Sequence, residues 1–403
     1  MERIIFHIDV NNAFLSWSAV DLLRNGSKVD IRETYAVIGG DEKTRNGIVL
    51  AKSMPAKKVG IVTAETLYSA KKKCKFLHVY PPNFTVYQEM SNKLFKLLSE
   101  YSPDIEVASI DECYLDYGKV KGLYGDQEQF AYKLKDRIKN ELGFTVNIGI
   151  ANNKLCAKMA SDFSKPDKVH TLYSYQVKEK MWPLPVGELF GIGKQTVPKL
   201  QAIGIEKIAD LANYDLLRLS RYFKNQAPRM VDIANGIDNS VVDSSTYIPK
   251  GIGHEFTLVT DVTNKEELYK ELFLLSEMVG KRLRKQKQYA NVICVILKDN
   301  FFKRKSHQRK LKNATNITSE IYSISKEILD SFYEGQAVRL IGIRLDDLTD
   351  SSPYQTSLFD NIEKRDKEEK IDKVIDEINK KIGKNAIKKA SLIQNDIRRK
   401  DLS

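Results

Sequence analysis

Cysteine is scarce in this chain of 403 residues: Cys74, Cys113, Cys156 and Cys294 stand far apart, with no C-x-x-C spacing. That argues against a disulfide framework and a zinc site, and it fits a reducing cytosol. Long apolar runs are missing too. No stretch approaches the ~18 residues of a membrane span. Glu2, Arg3, His7 and Asp9 interrupt the only early apolar segment, so no secretory leader is expected. No internal repeat is visible. Acid is in deficit, with 53 Asp and Glu against 65 Lys and Arg, a net charge of +12. The deficit is local: from Lys281 to Lys312 there are twelve Lys/Arg and a single acid, Asp299. Such a block means either a solvated face or a polyanion partner, and we read it as the latter. Its interior, N-V-I-C-V-I-L (291–297), has the pattern of a buried strand, so the bases flank packed structure.

At roughly 100–200 residues per domain, several domains are expected. R-I-I-F-H-I-D-V (3–10) reads as a strand ending at Asp9, and Asn11 and Asn12 turn the chain into a helical pattern over 11–23. Strands are expected over 46–51, on either side of a bend at 109–112 within 105–117, and over 145–151. Helices are expected over 86–100, 128–142 and 153–163. The stretch 184–236 reads as short helices punctuated by glycine. Residues 238–251 are polar and aperiodic, a linker. Strand-like pieces (252–258, 290–297, 338–345) and helices (264–287, 316–332) then alternate as in an α+β domain. Residues 350–361 again read as linker, and Ile371, Val374, Ile375, Ile378 and Ile382 form one apolar helical stripe ending at Gly383.

Three carboxylates stand at expected strand ends: Asp9, Asp111 and Glu112. Neighbouring side chains of a regular strand point to opposite faces, so Asp111 and Glu112 share a ligand only if a bend redirects one of them. Oxygen donors with no accompanying His or Cys favour Mg²⁺ or Mn²⁺ over zinc. Two such ions about 4 Å apart suit phosphoryl transfer. Taken alone, Asp-Glu in a turn is a pair of solvated acids.

The surrounding motifs decide between these readings. H-I-D-V-N-N-A-F (7–14), A-S-I-D-E-C-Y-L-D (108–116), G-I-A-N-N-K-L-C-A-K-M-A-S-D (149–162) and S-K-P (164–166) together resemble the Y-family DNA polymerases, the translesion enzymes of the DinB and UmuC group. The likeness is collinear over about 1–345. It implies a multi-domain right hand of class α/β plus α: palm (1–13 and 75–165), fingers (14–74), a helical thumb (166–237), the 238–251 linker, an α+β little finger (252–349) that binds DNA, and a C-terminal tail (350–403). It also implies the activity, template-directed addition of deoxynucleotides to a primer 3′ end during DNA damage tolerance, by a monomer in the bacterial cytoplasm, at the nucleoid during repair.

Carried over residue by residue, Asp9, Asp111 and Glu112 match the palm carboxylates, with the Val10 carbonyl as a further ligand of two Mg²⁺ ions (or Mn²⁺ in their place). Backbone N–H groups of Asn12, Ala13 and Phe14, together with Lys165, would hold the dNTP triphosphate. Phe14 alone reads as a core aromatic of the first helix; the resemblance makes it the steric gate that excludes a ribose 2′-hydroxyl. One segment departs from the pattern. Where relatives carry Tyr and Arg against the triphosphate, this chain has Met54 and Lys57; Lys57 keeps a charge without the fork of Arg, and Met54 cannot hydrogen-bond as Tyr does.

L-F-G-I-G-K (189–194) has the form of a helix-hairpin-helix, in which Gly191, Gly193 and Lys194 would meet a DNA phosphate. Q-T-S-L-F-D (355–360) resembles a sliding-clamp-binding peptide anchored by Gln355, Leu358 and Phe359. A nucleotidyl cyclase, or an inactive DNA-binding repair factor, would share parts of this set. A cyclase needs neither the helix-hairpin-helix, the basic domain nor the clamp peptide. A dead palm has no need of three acids, Phe14 and Lys165.

Overall fold

The first strand, β1 (Ile5–Val10), is buried along its whole length, which puts it inside a sheet and not at an edge. The computed structural model describes residues 3–42, 45, 47–245, 249–350, 362–383 and 386–387. The chain divides into two units, Met1–Gly40 with Ile48–Thr246, and Asp41–Gly47 with Tyr247–Ser403.

In the first unit, β1 leads into α1 (Ala13–Arg24), β2 (Ala36–Gly39), β3 (Val49–Lys52), α2 (Met54–Lys58), α3 (Leu67–Lys73), β4 (His78–Tyr80) and α4 (Phe84–Ser99). Then come β5 (Ile105–Val107), β6 (Glu112–Asp116), α5 (Lys121–Tyr124), α6 (Gln127–Leu142), β7 (Val146–Ala151), α7 (Lys154–Asp162) and β8 (Val169–Thr171). The main sheet has the order β5-β6-β1-β7-β8, with β1 antiparallel to both neighbours. A small sheet, β3-β2-β4, stands apart from it and runs on to Tyr80. Trp17, Tyr87, Phe6, Tyr117 and Phe144 fill the core against the main sheet with almost no exposure, each contributing about 2–3 kcal/mol of burial.

Gly149 is needed where it stands. A Cβ there would lie 2.0 Å from the Ala157 carbonyl oxygen and 2.5 Å from the Ser161 nitrogen, so only glycine lets α7 sit this closely on β7. Short helices α8 (Val197–Gln201), α9 (Ile208–Ala212), α10 (Leu216–Phe223) and α11 (Ala227–Ala234) complete the unit. Residues 238–245, within the expected linker, are strapped onto it: the Asp243 amide donates to Glu106 (2.8 Å) and the Leu155 amide to Asp238 (3.3 Å).

The second unit holds β9 (Gly251–Val262), α12 (Lys265–Lys285), β10 (Tyr289–Asp299), β11 (Arg304–Thr315), α13 (Thr318–Phe332), β12 (Val338–Thr349) and α14 (Ile362–Ile382). Its sheet, β11-β10-β12-β9, is antiparallel throughout. Ile293, Val295, Leu297, Ile341, Ile343 and Leu345 pack under α12 and α13. Strand β9 begins at Gly251, so the expected linker overlaps the sheet by one residue. Strand β11 is not legible from periodicity, because R-K-S-H-Q-R-K-L-K carries polar residues on both faces. On the helix side His307 stacks on Phe332 (4.4 Å) and Arg309 pairs with Glu327 (2.5 Å).

All four cysteines are free and buried. Among the described residues no helix is long and apolar enough to cross a membrane. The clamp-peptide residues Gln355, Leu358 and Phe359 lie outside the described residues.

Candidate active site

The register of the main sheet brings the three acids to one end. Asp9 pairs directly with Glu112 across β1 and β6, and the Val10 amide donates to the Asp111 carbonyl (3.0 Å). The bend expected between Asp111 and Glu112 is present: the amides of Ala108 and Ser109 both donate to the Glu112 carbonyl (3.1 Å each), and 109–111 turn before β6 begins. The chain thereby leaves strand geometry after Val107 and resumes it at Glu112.

Each carboxylate has its own compensation. Asp111 accepts from the Ser109 hydroxyl (2.6 Å). Asp9, 8% exposed, accepts from the Lys165 ammonium, which also bonds Asp162 (2.8 Å). Glu112 accepts from the Lys158 ammonium (2.6 Å) and lies 3.4 Å from His7 Nε2. His7 and Lys158 hold the Glu112 carboxyl down to about 2. Lys158 is the dependable partner, because burial drives His7 toward its neutral form and its contact is long. Burial also works against the Lys165 ammonium, but Asp9 and Asp162 outweigh it and raise its pKa. With the acids turned to separate partners, no three His, Cys, Asp or Glu side chains among the described residues converge on one point. The donor set is nonetheless all oxygen, which suits a hard divalent cation.

The lysines are aimed by residues that motif reading leaves unassigned. The Ser161 hydroxyl donates to the Lys158 carbonyl (2.8 Å) and lies 2.8 Å from His7 Nδ1. Asn147 donates to the carbonyls of Ser161 (2.9 Å) and Ser164 (2.6 Å), and accepts from Asn11 (3.1 Å) and the Lys168 amide (3.2 Å). Asn11 in turn accepts from the Asp167 amide (2.8 Å). The loop bearing Lys165 is thus tied to the end of β1. A signal for His7 and Asn147 does exist in the sequence: each is a polar residue within an otherwise apolar strand, and both are fully buried.

Beside the acids, Asn12 takes a left-handed conformation (φ 51°) and starts α1, whose first turn holds no acid. Its side-chain amide donates to the Lys52 carbonyl (2.6 Å), joining the start of α1 to the end of β3. Phe14 is half-buried and stacks on Tyr87 (4.6 Å), with Phe84 edge-on at 6.0 Å. Lys57 is exposed on α2, and Lys52 has its pKa lowered by burial and then by the charge of Lys57. Met54 is 48% exposed and packs into no core. Gly191 (φ +96°), Gly193 and Lys194 lie in the exposed turn ahead of α8; α8, of only five residues, is a weak anion-binding terminus by itself.

Known proteins resemble this chain in sequence over nearly its whole length. The model of the impB/mucB/samB family matches residues 8–162, that of its C-terminal domain 249–358, and that of its helix-hairpin-helix motif 176–205. A protein of Clostridium acetobutylicum named DNA polymerase IV is 46% identical over 98% of this chain and 99% of its own length. This chain belongs to the Y family of DNA polymerases. Y-family relatives also include DNA polymerase IV of Acetivibrio thermocellus, 35% identical over 98% of each chain. Another is DNA polymerase IV 1 of Bacillus subtilis, 33% identical over 97% of this chain and 94% of its own. Among solved structures, a Y-family DNA polymerase chimera built on Dbh superposes with a TM-score of 0.76, covering 86% of this chain and all of its own at 23% identity. The insertion ternary complex of Dbh DNA polymerase gives a TM-score of 0.60 at 24% identity, over 85% and 98% of the two chains. These two establish the fold.

Proposed function

We propose that the chain is a template-directed DNA polymerase of the translesion type, extending a primer 3′ end with deoxynucleotides by nucleotidyl transfer. One observation carries the reading: the sheet register brings Asp9, Asp111 and Glu112 to the same end of β1 and β6, beside the start of α1 and the Lys165 loop. The relatives named DNA polymerase IV match end to end and support it.

Divalent cations serve the reaction, and the oxygen-only donors favour Mg²⁺, with Mn²⁺ meeting the same preference. Asp9, Asp111, Glu112 and the Val10 carbonyl would hold two such ions, which when bound neutralise charge on the attacking and leaving oxygens. The rest falls to the chain's own groups. The first-turn amides of α1, from Asn12 to Phe14, present partial positive charge to the triphosphate. Lys165 and Lys57 add full charges. Phe14, wedged on Tyr87 and Phe84, forms a stiff floor under the sugar, where a 2′-hydroxyl collides. Catalysis then rests on positioning and preorganised charge. On this reading the domains we propose are a palm (1–13 and 75–165), fingers (14–74), a thumb (166–237) with Gly191, Gly193 and Lys194 at a phosphate, and a little finger (252–349). The 355–360 peptide would tether the monomer to a sliding clamp and raise its effective concentration at primer ends.

Primer extension on an undamaged template tests this directly. Wild type adds the templated dNTP and rejects the matching rNTP, and Phe14→Ala gains rNTP use by about tenfold or more. A protein that adds nothing, or that converts free nucleotide without DNA, contradicts the reading.

A further inference from the structure

Lys165 is the side chain best placed to change partners in this site. Its ammonium bonds Asp9 and Asp162, yet the side chain is 37% exposed, so part of it already faces solvent. Asp9 is nearly buried and needs a cation beside it. Asp162 is 47% exposed, lies 3.7 Å from Lys158 and can turn to water. The backbone beneath Lys165 is fixed by Asn11 and Asn147 through Ser164, Asp167 and Lys168, which leaves a four-carbon stem as the moving part. Lys158 differs: its side chain is 14% exposed, and it holds Glu112 from α7, which Gly149 seats tightly on the sheet.

We propose that Lys165 is an exchangeable counterion: it occupies Asp9 until a divalent cation takes that carboxylate, and the released ammonium then moves to the nucleotide triphosphate. This rests on the reading of Asp9 as a metal ligand. A monovalent ammonium that balances Asp9 competes with the metal at that carboxylate. Metal entry then uncovers the charge that grips the nucleotide, so a site without metal offers the nucleotide a weaker hold. The acids also stay compensated at every stage, which spares the empty enzyme a cluster of unpaired carboxylates.

Mn²⁺ binding to the full chain without nucleotide or DNA, followed through the paramagnetic signal of free Mn²⁺, tests the competition. Lys165→Met tightens Mn²⁺ binding roughly three- to tenfold, whereas Lys168→Met, a charge removed from the same loop, leaves it within twofold of wild type. In wild type, reductive methylation of Lys165, read by peptide mass spectrometry, rises several-fold with Mn²⁺ alone and falls again when dNTP is added. Equal Mn²⁺ affinity in wild type and Lys165→Met, or equal tightening by Lys168→Met, overturns the exchange, as does Lys165 labelling that Mn²⁺ leaves unmoved. If neither wild type nor Lys165→Met binds Mn²⁺, the metal-site reading itself fails, a result distinct from those three.

Discussion

The two units of this chain handle charge in opposite ways. Around the end of β1 charges are few and sheltered, and each has a named partner: Asp9 with Lys165, Glu112 with Lys158, Asp111 with Ser109. In the sheet of the second unit charges are many and exposed. Along β11, Arg304, Ser306, Gln308 and Lys310 pair with the β10 residues that face away from α12 and α13, while Lys305, His307 and Arg309 face the helices. Arg304 reaches Glu255 (2.5 Å) and Arg344 reaches Asp346 (2.7 Å), exposed pairs that water and salt weaken. Sheltered charge needs a partner, ionic or hydrogen-bonding, because an unpaired buried ion costs several kcal/mol. Exposed charge can be summed over many residues. The first arrangement suits chemistry at one point; the second suits holding a long polyanion without regard to sequence.

The sharpest way to break this contrast is to remove one sheltered charge. Asp111→Asn, nearly isosteric, is expected to lower the single-turnover rate of nucleotide addition by about 10³-fold or more, with DNA affinity unchanged. Rapid-quench measurement checks it. Removing an exposed charge should do much less. Lys310→Gln leaves the rate at saturating DNA intact and reduces the slope of log affinity against log salt by about 1, read by fluorescence anisotropy across a salt titration. The smallest effect concerns pH. The Glu112 carboxyl is depressed in the folded protein from an ordinary value of 4.5 to about 2, so its contribution to stability is present above 4.5 and is lost as pH falls toward 2. Lys158→Met moves the folded value back up. The stability gap between wild type and this variant, from urea melts, should be constant above pH 5 and close as pH drops from 4.5 to 2.

Sequence patterns carry much of this architecture, for physical reasons that differ by region. Strand β1, helix α4 (expected over 86–100, found over Phe84–Ser99) and helix α6 with its Gly143 stop are legible because one apolar face and one terminator define them. The bend at 109–111 is legible because two adjacent acids cannot share a face otherwise. Strand β11 is not, since an edge strand with polar residues on both faces has no period to detect. In the candidate site, motif spacing singles out Asp9, Asp111, Glu112 and Lys165, whose proposed roles lie in their own functional groups. It passes over Asn11, Asn147, Ser161 and Lys158, which act by holding something else, and whose partners only the three-dimensional register brings near.

The tail helix gives the same lesson from the other side. Its apolar stripe is legible, yet α14 is bound to the body through its acids: Asp372 and Asp376 pair with the nearly buried Arg284 (3.1 and 2.7 Å). Asp372 also accepts from the Thr318 amide (2.8 Å), capping α13, whose own N-cap, Ile317, has no acceptor. Val374 and Ile382, on the stripe, stay exposed. Periodicity locates an apolar face without saying which way it turns.

If chemistry belongs to the sheltered acids and DNA holding to the exposed bases, the two can be separated by salt. One experiment measures both: single-nucleotide insertion at saturating and subsaturating primer-template across a salt series, for wild type, Asp111→Asn and Lys310→Gln. Asp111→Asn is expected to be inactive at every salt with DNA affinity intact, and Lys310→Gln to match the wild-type rate at saturation with a shallower salt slope. A Lys310→Gln enzyme that is slow even at saturating DNA, or an Asp111→Asn enzyme whose rate recovers there, would contradict that separation.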